Sequence, residues 1–469
     1  MTCERVFMWP RFFGYNAVYN ARTTIHMHIV SEGETLMPRP QLAEFMRRME
    51  PDSIAIIPSA REANRSNDTD YRYRQDSDFF YLTGFNEPEA IAVVAPSHPE
   101  HKFMLFVRPR DPEREIWDGR RAGVEGAIKD YGAEAAHTFQ EFKDKLPELL
   151  NGPTNLYYKL GANSALDEMI VRELRNLRAN PRTSKHAPDH IIEPGTLLHE
   201  MRLIKSEEEI ALMQRSADIA AEAHREAMKA ARPGMKEYEI EALIEHIFRR
   251  HGATAPAYTS IVGAGANATI LHYINNDGTL EDGDLLLVDA GAEYQGYASD
   301  ITRTFPINGR FTQAQREVYE LVLKAQESCV EMARPGVTMD ELKKHSIEIL
   351  TAGMVQLGLL QGEPEKLIEE EKYKQFYMHG LGHYLGLDVH DVGPYYARGT
   401  KQGRPLEAGT VITIEPGIYI APDTQNIPEQ YRGIGIRIED DVLITPEGRR
   451  VLTTAAPKQI EEIEQLMAR

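Results

Sequence analysis

The sequence predicts an α/β protein in which a smaller α/β region precedes a larger C-terminal portion built from two related halves. Three observations carry this expectation. Helix and strand periodicities alternate from about Pro40 onward. A helix, an Ala-Arg-Pro-Gly break and a second helix with acids in its first turn occur twice, as "KAARPGMKEYEIEALIEHI" (229–247) and "EMARPGVTMDELKKHSIEI" (331–349), 102 residues apart. That offset is too long for a solenoid repeat and suits two halves about a pseudo-twofold axis, each followed by strand-forming segments.

Bulk properties bound the partners. The chain has 469 residues, 42% of them apolar, enough for ordinary cores. Its formal net charge of −19 opposes nucleic acid and anionic membranes as principal partners. No apolar run approaches the roughly 18 residues that span a bilayer. Cys3 and Cys329 are the only cysteines, which excludes a disulfide framework and fits a cytoplasmic, reducing compartment. The opening stretch is aromatic- and Arg-rich, and Glu4 is the only acid among its first 30 residues. Residues 1–36 are expected to be a disordered extension ahead of a folded chain starting at Met37, with a transit peptide as the other reading.

In chain order, "PQLAEFMRRME" has the pattern of a short amphipathic helix, and "SIAIIPS", "AIAVVAP" and "KFMLFVRPR" have that of strands. "SALDEMIVRELRNLRA" is expected to be a helix capped by Ser164. A Pro-, Ser- and His-containing loop over 180–195 marks a boundary near residue 203, dividing an N-terminal domain (37–203) from a C-terminal one (204–469). The next helix opens with Ser206 and Glu209 in capping-box spacing and stops at Pro233-Gly234. "GAGANA" (263–268) matches the dinucleotide-binding pattern, with Asp289 some twenty residues on. That motif must open a helix, whereas the following "ATILHYIN" is β-branched and aromatic and predicts a strand.

The chemistry begins at "LLLVDAGAEYQGYASDITRTFP" (285–306), where an apolar run ends on Asp289 and Asp300 follows beyond a short turn. Pairing about the midpoint of Tyr294 and Gln295 predicts that the two aspartates lie nearly opposite, with Cβ atoms about 5 Å apart. Carboxylates that close must share a proton or hold a cation. Alternation in "VITIEPGIYI" puts Glu415 on the face of Thr413. In "GIGIRIEDDVLI" it puts Arg437 and Glu439 together, opposite an isoleucine face. "MHGLGHYLGLDVHD" adds His379, His383 and His390 among glycines, without the glutamate of an H-E-x-x-H helix. Four carboxylates and an imidazole form an oxygen-rich donor set suited to Mn2+, or to Co2+ or Fe2+ in vitro. They exceed what one ion needs; two divalent ions about 3.5–4 Å apart, bridged by carboxylates and a hydroxide, imply hydrolysis.

The ordered set Asp289, Asp300, His383, Glu415 and Glu439 resembles the dinuclear site of the pita-bread metallopeptidases, a group that includes methionine aminopeptidase, prolidase, creatinase and aminopeptidase P. The flanking "YRYRQDSDFFYLTGFNEPEA", "EIWDGRR", "ILHY", "DITRTFP", "HDVGPY" and "PEQYRGIGIRIEDD" are most similar to the bacterial aminopeptidase P branch, from about residue 40 to the C-terminus. The resemblance implies a pseudo-twofold pita-bread catalytic domain that hydrolyses the N-terminal Xaa-Pro bond of peptides. It implies that Asp289 holds one Mn2+, that Asp300 and Glu439 bridge two, and that His383 and Glu415 complete the second, with the bridging hydroxide attacking the scissile carbonyl. Glu415 would also move a proton to the leaving nitrogen. His272 and His390 would stabilise the tetrahedral intermediate, and His379, with Tyr258 nearby, would line the proline pocket. Arg437 would hold the peptide beyond proline, and Trp117 would reach a neighbouring subunit's site in a homo-oligomer, tetramer or dimer. An Xaa-Pro dipeptidase shares the metal set and a similar "HGLGH". A metal-free pita-bread peptide-binding module is the alternative of another class, against which stands the presence of all five ligand positions.

Overall fold

A computed structural model of the chain describes residues 39–179 and 182–468. The expected extension over residues 1–36 lies outside the described residues. Among them, no helix is long and apolar enough to cross a membrane.

The N-terminal part is built on a six-stranded mixed sheet in the order Ala135–Thr138, Phe103–Val107, Ile91–Val94, Ser53–Pro58, Asn155–Tyr157 and His190–Ile192. The central strands are apolar and buried on both faces, so helices cover both sides. Helix Pro40–Arg48 forms as the periodicity predicts. Helix Ser164–Arg178 also forms, burying Leu166, Ile170, Leu174 and Leu177, but its cap is one residue earlier than expected. The Asn163 side chain accepts from the Leu166 amide, and Ser164 is the first helical residue. The segment 180–195 is not all loop. His190–Ile192 joins the sheet edge parallel to Asn155–Tyr157, and helix Gly195–Leu203 follows.

The C-terminal part has the expected pseudo-twofold organisation. Each half pairs two helices (Glu207–Ala230 with Glu237–Arg250, Gln313–Met332 with Met339–Gln356) and adds an antiparallel three-stranded sheet. The two Ala-Arg-Pro-Gly breaks are equivalent in detail. Gly234 (φ 90°) donates its amide to the Leu280 carbonyl at 2.8 Å, and Gly336 (φ 91°) donates to that of Leu406 at 2.9 Å. Each break is followed by a bridge, Lys236 to Thr279 and Thr338 to Pro405. The capping box of Ser206 and Glu209 is present at the first long helix.

Strand Leu285–Asp289 lies centrally between Ile261–Ala264 and Thr302–Pro306, and its four leading residues are buried. Burying a side chain of this size contributes about 1.5–3 kcal/mol, so the run fixes the strand that ends on Asp289. The register differs from expectation by two residues: Asp289 faces Thr302, and Asp300 is the diagonal neighbour on the same face. The reversal sits at Gln295-Gly296, both with positive φ (51° and 88°), the geometry of a two-residue hairpin turn. "ATILHYIN" is not a strand. Gly265–Thr269 makes a 3-10 turn and an irregular loop follows. The buried Glu237 carboxylate accepts from the amides of Ala264 and Gly278, from Asn267 Nδ2 and from the Tyr273 hydroxyl. Glu237 thus ties down both ends of the loop, through the amides of Ala264 and Gly278. "GAGANA" therefore opens no α-helix.

The two parts of the chain meet through ions: Arg202 Nη2 donates to Asp388 Oδ2 (2.7 Å) and Asp391 Oδ1 (2.6 Å). On the N-terminal side, Asp78 takes a hydrogen bond from Arg202 (2.7 Å) and lies 3.3 Å from His199 Nε2. Burial alone would raise the Asp78 carboxyl, but His199 and Arg202 reverse this and hold it at about 2. A folded pKa below the unfolded one gives stability that is complete above about pH 4 and lost as pH falls through about 2. The contribution is on the order of 2 kcal/mol. The fall in thermal midpoint between pH 5 and pH 3 is expected to be smaller in Asp78→Asn than in the parent; an equal fall would refute the assignment.

Candidate metal centre

The site forms where strand ends of the two halves meet. Thr302 Oγ1 donates to Glu439 Oε2 (2.6 Å), the Glu439 amide donates to the Thr302 carbonyl (3.1 Å), and the Asp300 amide donates to Asp441 Oδ2 (3.2 Å). Segment 381–385 runs beside Val411–Ile414, with the Thr413 amide on the His383 carbonyl and the Glu415 amide on that of Leu381. Gly382 permits this approach: a Cβ there would lie 1.9 Å from the Thr413 carbonyl oxygen. His383 and Glu415 are thereby set side by side.

Asp289 and Asp300 both accept from the Tyr258 hydroxyl, which lies between them. Arg437 forks across the floor, with Nη2 on Asp289 Oδ2 (2.6 Å), Nε on Thr302 Oγ1 (3.1 Å) and Nη1 on the Tyr419 hydroxyl (2.9 Å). His383 Nδ1 is 3.0 Å from the Tyr384 carbonyl, so Nδ1 carries the proton and Nε2 faces inward. Nε2 lies 3.5 Å from Asp300 and 3.7 Å from Glu415. His379 meets the Gly380 carbonyl through Nδ1 (2.7 Å) and the Tyr419 hydroxyl through Nε2 (2.9 Å). The His390 ring stands edge-on to His383 with centroids 4.4 Å apart.

The electrostatics show a deficit of positive charge. Burial raises the Asp289 carboxyl against the pull of Arg437, and Asp300 raises it further. Burial lifts Glu415 to about 8 despite His383 and Arg437, and burial followed by Asp300 pushes Glu439 well above the carboxylate range. His383 moves oppositely: burial lowers it, but Asp300 and Glu415 bring it to about 9. Burial and Arg437 lower His379 to about 3, leaving it a neutral imidazole. One guanidinium cannot neutralise four carboxylates in a desolvated site. Donor atoms of Asp300, His383 and Glu439 already lie within 4.8 Å of one another. Oxygen donors, an inward-facing Nε2 and unmet negative charge together fit divalent metal ions.

A cavity of about 430 Å³ gathers Tyr258, His272, Asp289, Asp300, His379, His383, His390, Glu415, Arg437 and Glu439. Trp117 is not among them; it lies on helix Pro112–Asp118 with 83% of its surface exposed. Sequence reasoning missed Thr302 and Tyr419. Thr302 was accessible from the polar row Asp300, Thr302, Thr304 on one face, and Tyr419 from its lone hydroxyl in the apolar "IYI".

Known proteins resemble this chain along most of its length. The family model for metallopeptidase family M24 matches residues 211–446, and that for the aminopeptidase P N-terminal domain matches 40–157. The chain is 49% identical to the Xaa-Pro aminopeptidase of Escherichia coli over 90% of its length and 97% of that protein's. It is 36% identical to the mitochondrial intermediate cleaving peptidase 55 of Arabidopsis thaliana, over 94% of this chain and 86% of that one. Among solved structures, aminopeptidase PepP of Pseudomonas aeruginosa superposes with a TM-score of 0.89 at 49% identity, covering 91% of this chain and 96% of that one. Zinc-substituted Escherichia coli aminopeptidase P in complex with product gives 0.88 at 48% identity, with the same coverage. The chain belongs to metallopeptidase family M24, in the group that carries the aminopeptidase P N-terminal domain.

Proposed function

We propose that the protein is an Xaa-Pro aminopeptidase, removing the first residue of peptides whose second residue is proline, with two Mn2+ ions as cofactors. The observation that carries this is the convergence of four carboxylates and one inward-facing imidazole on a cavity that His379 and Arg437 also line, both held from behind by the Tyr419 hydroxyl. Asp289, Asp300, His383, Glu415 and Glu439 would hold the ions, the carboxylates of Asp300 and Glu439 and the His383 imidazole lying nearest one another. When bound, the ions supply a water deprotonated near neutral pH and polarise the scissile carbonyl.

The chain's own residues do the rest. Glu415, beside His383 on the cavity, takes a proton and returns it to the leaving nitrogen, which without it would depart as an anion. His272 and His390, both lining the cavity, stabilise the developing oxyanion. A proline amide has no N–H, so the pocket selects it by shape, with neutral His379 in its wall and the Tyr419 ring packed edge-on behind His379. Arg437, anchored on Asp289, positions the peptide beyond proline. Tyr258 holds Asp289 and Asp300 in register. Trp117, exposed on its helix, serves a neighbouring copy in a tetramer or dimer. Within this reading the N-terminal domain ends at residue 203, the catalytic domain is 204–469, and the enzyme is cytoplasmic.

With Mn2+, a proline-second tripeptide is expected to lose its first residue, and a matched peptide with alanine second to be cleaved at least about 100-fold more slowly. Product analysis by mass spectrometry reads both. Cleavage of Xaa-Pro dipeptides alone would replace this reading with an Xaa-Pro dipeptidase.

A further inference from the structure

The N-terminal "YRYRQDSD" run has no part in the roles above, yet it reaches the catalytic half. Ser77 Oγ donates to Asp388 Oδ1 (2.7 Å), and Arg74 Nη2 donates to the Leu387 carbonyl (2.6 Å). Asp78 receives Arg202 Nη1, and Nη2 of the same guanidinium donates to Asp388 Oδ2 (2.7 Å) and Asp391 Oδ1 (2.6 Å). Lys205 Nζ adds a bond to Asp391 Oδ2 (3.0 Å). These contacts converge on one loop, 384–391, which begins just after His383 and holds His390 at its far end.

That loop is closed on itself. The Asp391 amide donates to the Tyr384 carbonyl (2.9 Å) and the Gly386 amide to that of Asp388 (3.1 Å). A Cβ at Gly386 would stand 2.1 Å from Asp391 Oδ2, so the carboxylate is seated against bare backbone. Among the described residues the His390 ring has no hydrogen bond, so the loop backbone sets its position. Arg202 is 3% exposed, and its Nε is buried without a partner. A buried ion cluster of this kind adds little stability over apolar packing; what it supplies is geometry.

We infer that the Arg74–Asp78 segment and Arg202 clamp the 384–391 loop and position His390 for catalysis, so that the N-terminal domain helps to shape the catalytic site. The inference rests on the oxyanion role proposed for His390. It is tested by a double-mutant cycle of Arg202→Lys and His390→Ala, with Mn2+ and a proline-second tripeptide. Lysine keeps one charge but cannot span three carboxylates. Arg202→Lys alone is expected to lower kcat about tenfold with KM changed less than about twofold, and to cost less than about twofold in the His390→Ala background. In protein stripped of metal by chelator, amide exchange over 385–391 is expected to be faster in Arg202→Lys than in the parent. His390→Ala with parental activity would overturn the role of His390, and the clamp with it. An impaired His390→Ala in which Arg202→Lys still exacts its full factor, or unchanged exchange over 385–391, would overturn the clamp alone. Should Arg202→Lys fail to fold, Ser77→Ala, which removes one hydrogen bond and strands no charge, is read in the same cycle against the same criteria.

Discussion

Asp289→Asn is expected to lower kcat/KM for a proline-second peptide by roughly 10³-fold or more, because the water it helps to activate is the nucleophile. The substitution keeps the shape and the Tyr258 contact but removes a charge from the set that would hold the ions, and it strips Arg437 of its carboxylate partner at 2.6 Å. A second readout separates metal loss from misfolding. Mn2+ at about a hundred times its dissociation constant stabilises the parent by about 2.7 kcal/mol through linkage. The resulting rise in thermal midpoint is expected to be small or absent in Asp289→Asn. An unchanged rise together with unchanged activity would remove Asp289 from the metal site.

The largest expected effect on stability lies behind the site, at Arg303. Its side chain is fully buried, and Nη2 donates to Asp440 Oδ1 (2.6 Å) and the Ala456 carbonyl (2.9 Å), Nε to that of Pro457 (3.1 Å), and Nη1 to those of Thr302 (2.9 Å) and Glu439. Asp440 also receives Lys458, Gln326 and Thr453. Arg303→Met would leave this carboxylate short of a cation and several carbonyls unpaired, costing about 3–5 kcal/mol in denaturant unfolding. Adding Asp440→Asn is expected to restore part of the loss, since the stranded charge is then gone. A cost below about 1 kcal/mol would show that water or neighbouring groups replace the guanidinium.

What was legible in the sequence was chemistry at strand ends. Asp289, Glu415 and Glu439 follow short apolar runs, and period-two alternation assigns their faces without knowledge of the fold. The hairpin register was less legible because it depends on which residues take positive φ. Gln295 does so with Gly296, although the symmetric centre of "EYQG" lies one residue earlier. The conformation around His272 was hidden for a different reason. β-branched "ATILHYIN" predicts a strand locally, but Glu237, more than twenty-five residues before it, pins both ends of the segment through the amides of Ala264 and Gly278 and the Tyr273 hydroxyl. The same holds at His190–Ile192, whose three residues are strand only because Asn155–Tyr157 offers an edge. Local pattern reads what a segment buries; it does not read which distant polar group its backbone will meet.

Arg437 has a further consequence in the parity of charge. Among the described residues it is the one guanidinium lining a cavity that also gathers Asp289, Asp300, Glu415 and Glu439, so three negative charges stay unbalanced when all four are ionised. Two dications would overshoot by one unit, and one dication would fall short by one. With two such ions the cavity would carry an odd positive charge, which a single anion would neutralise. The number of built-in cations would thus tune a centre filled in this way to attract an anionic group, whether the attacking species, the oxyanion formed during hydrolysis or an inhibitory small anion.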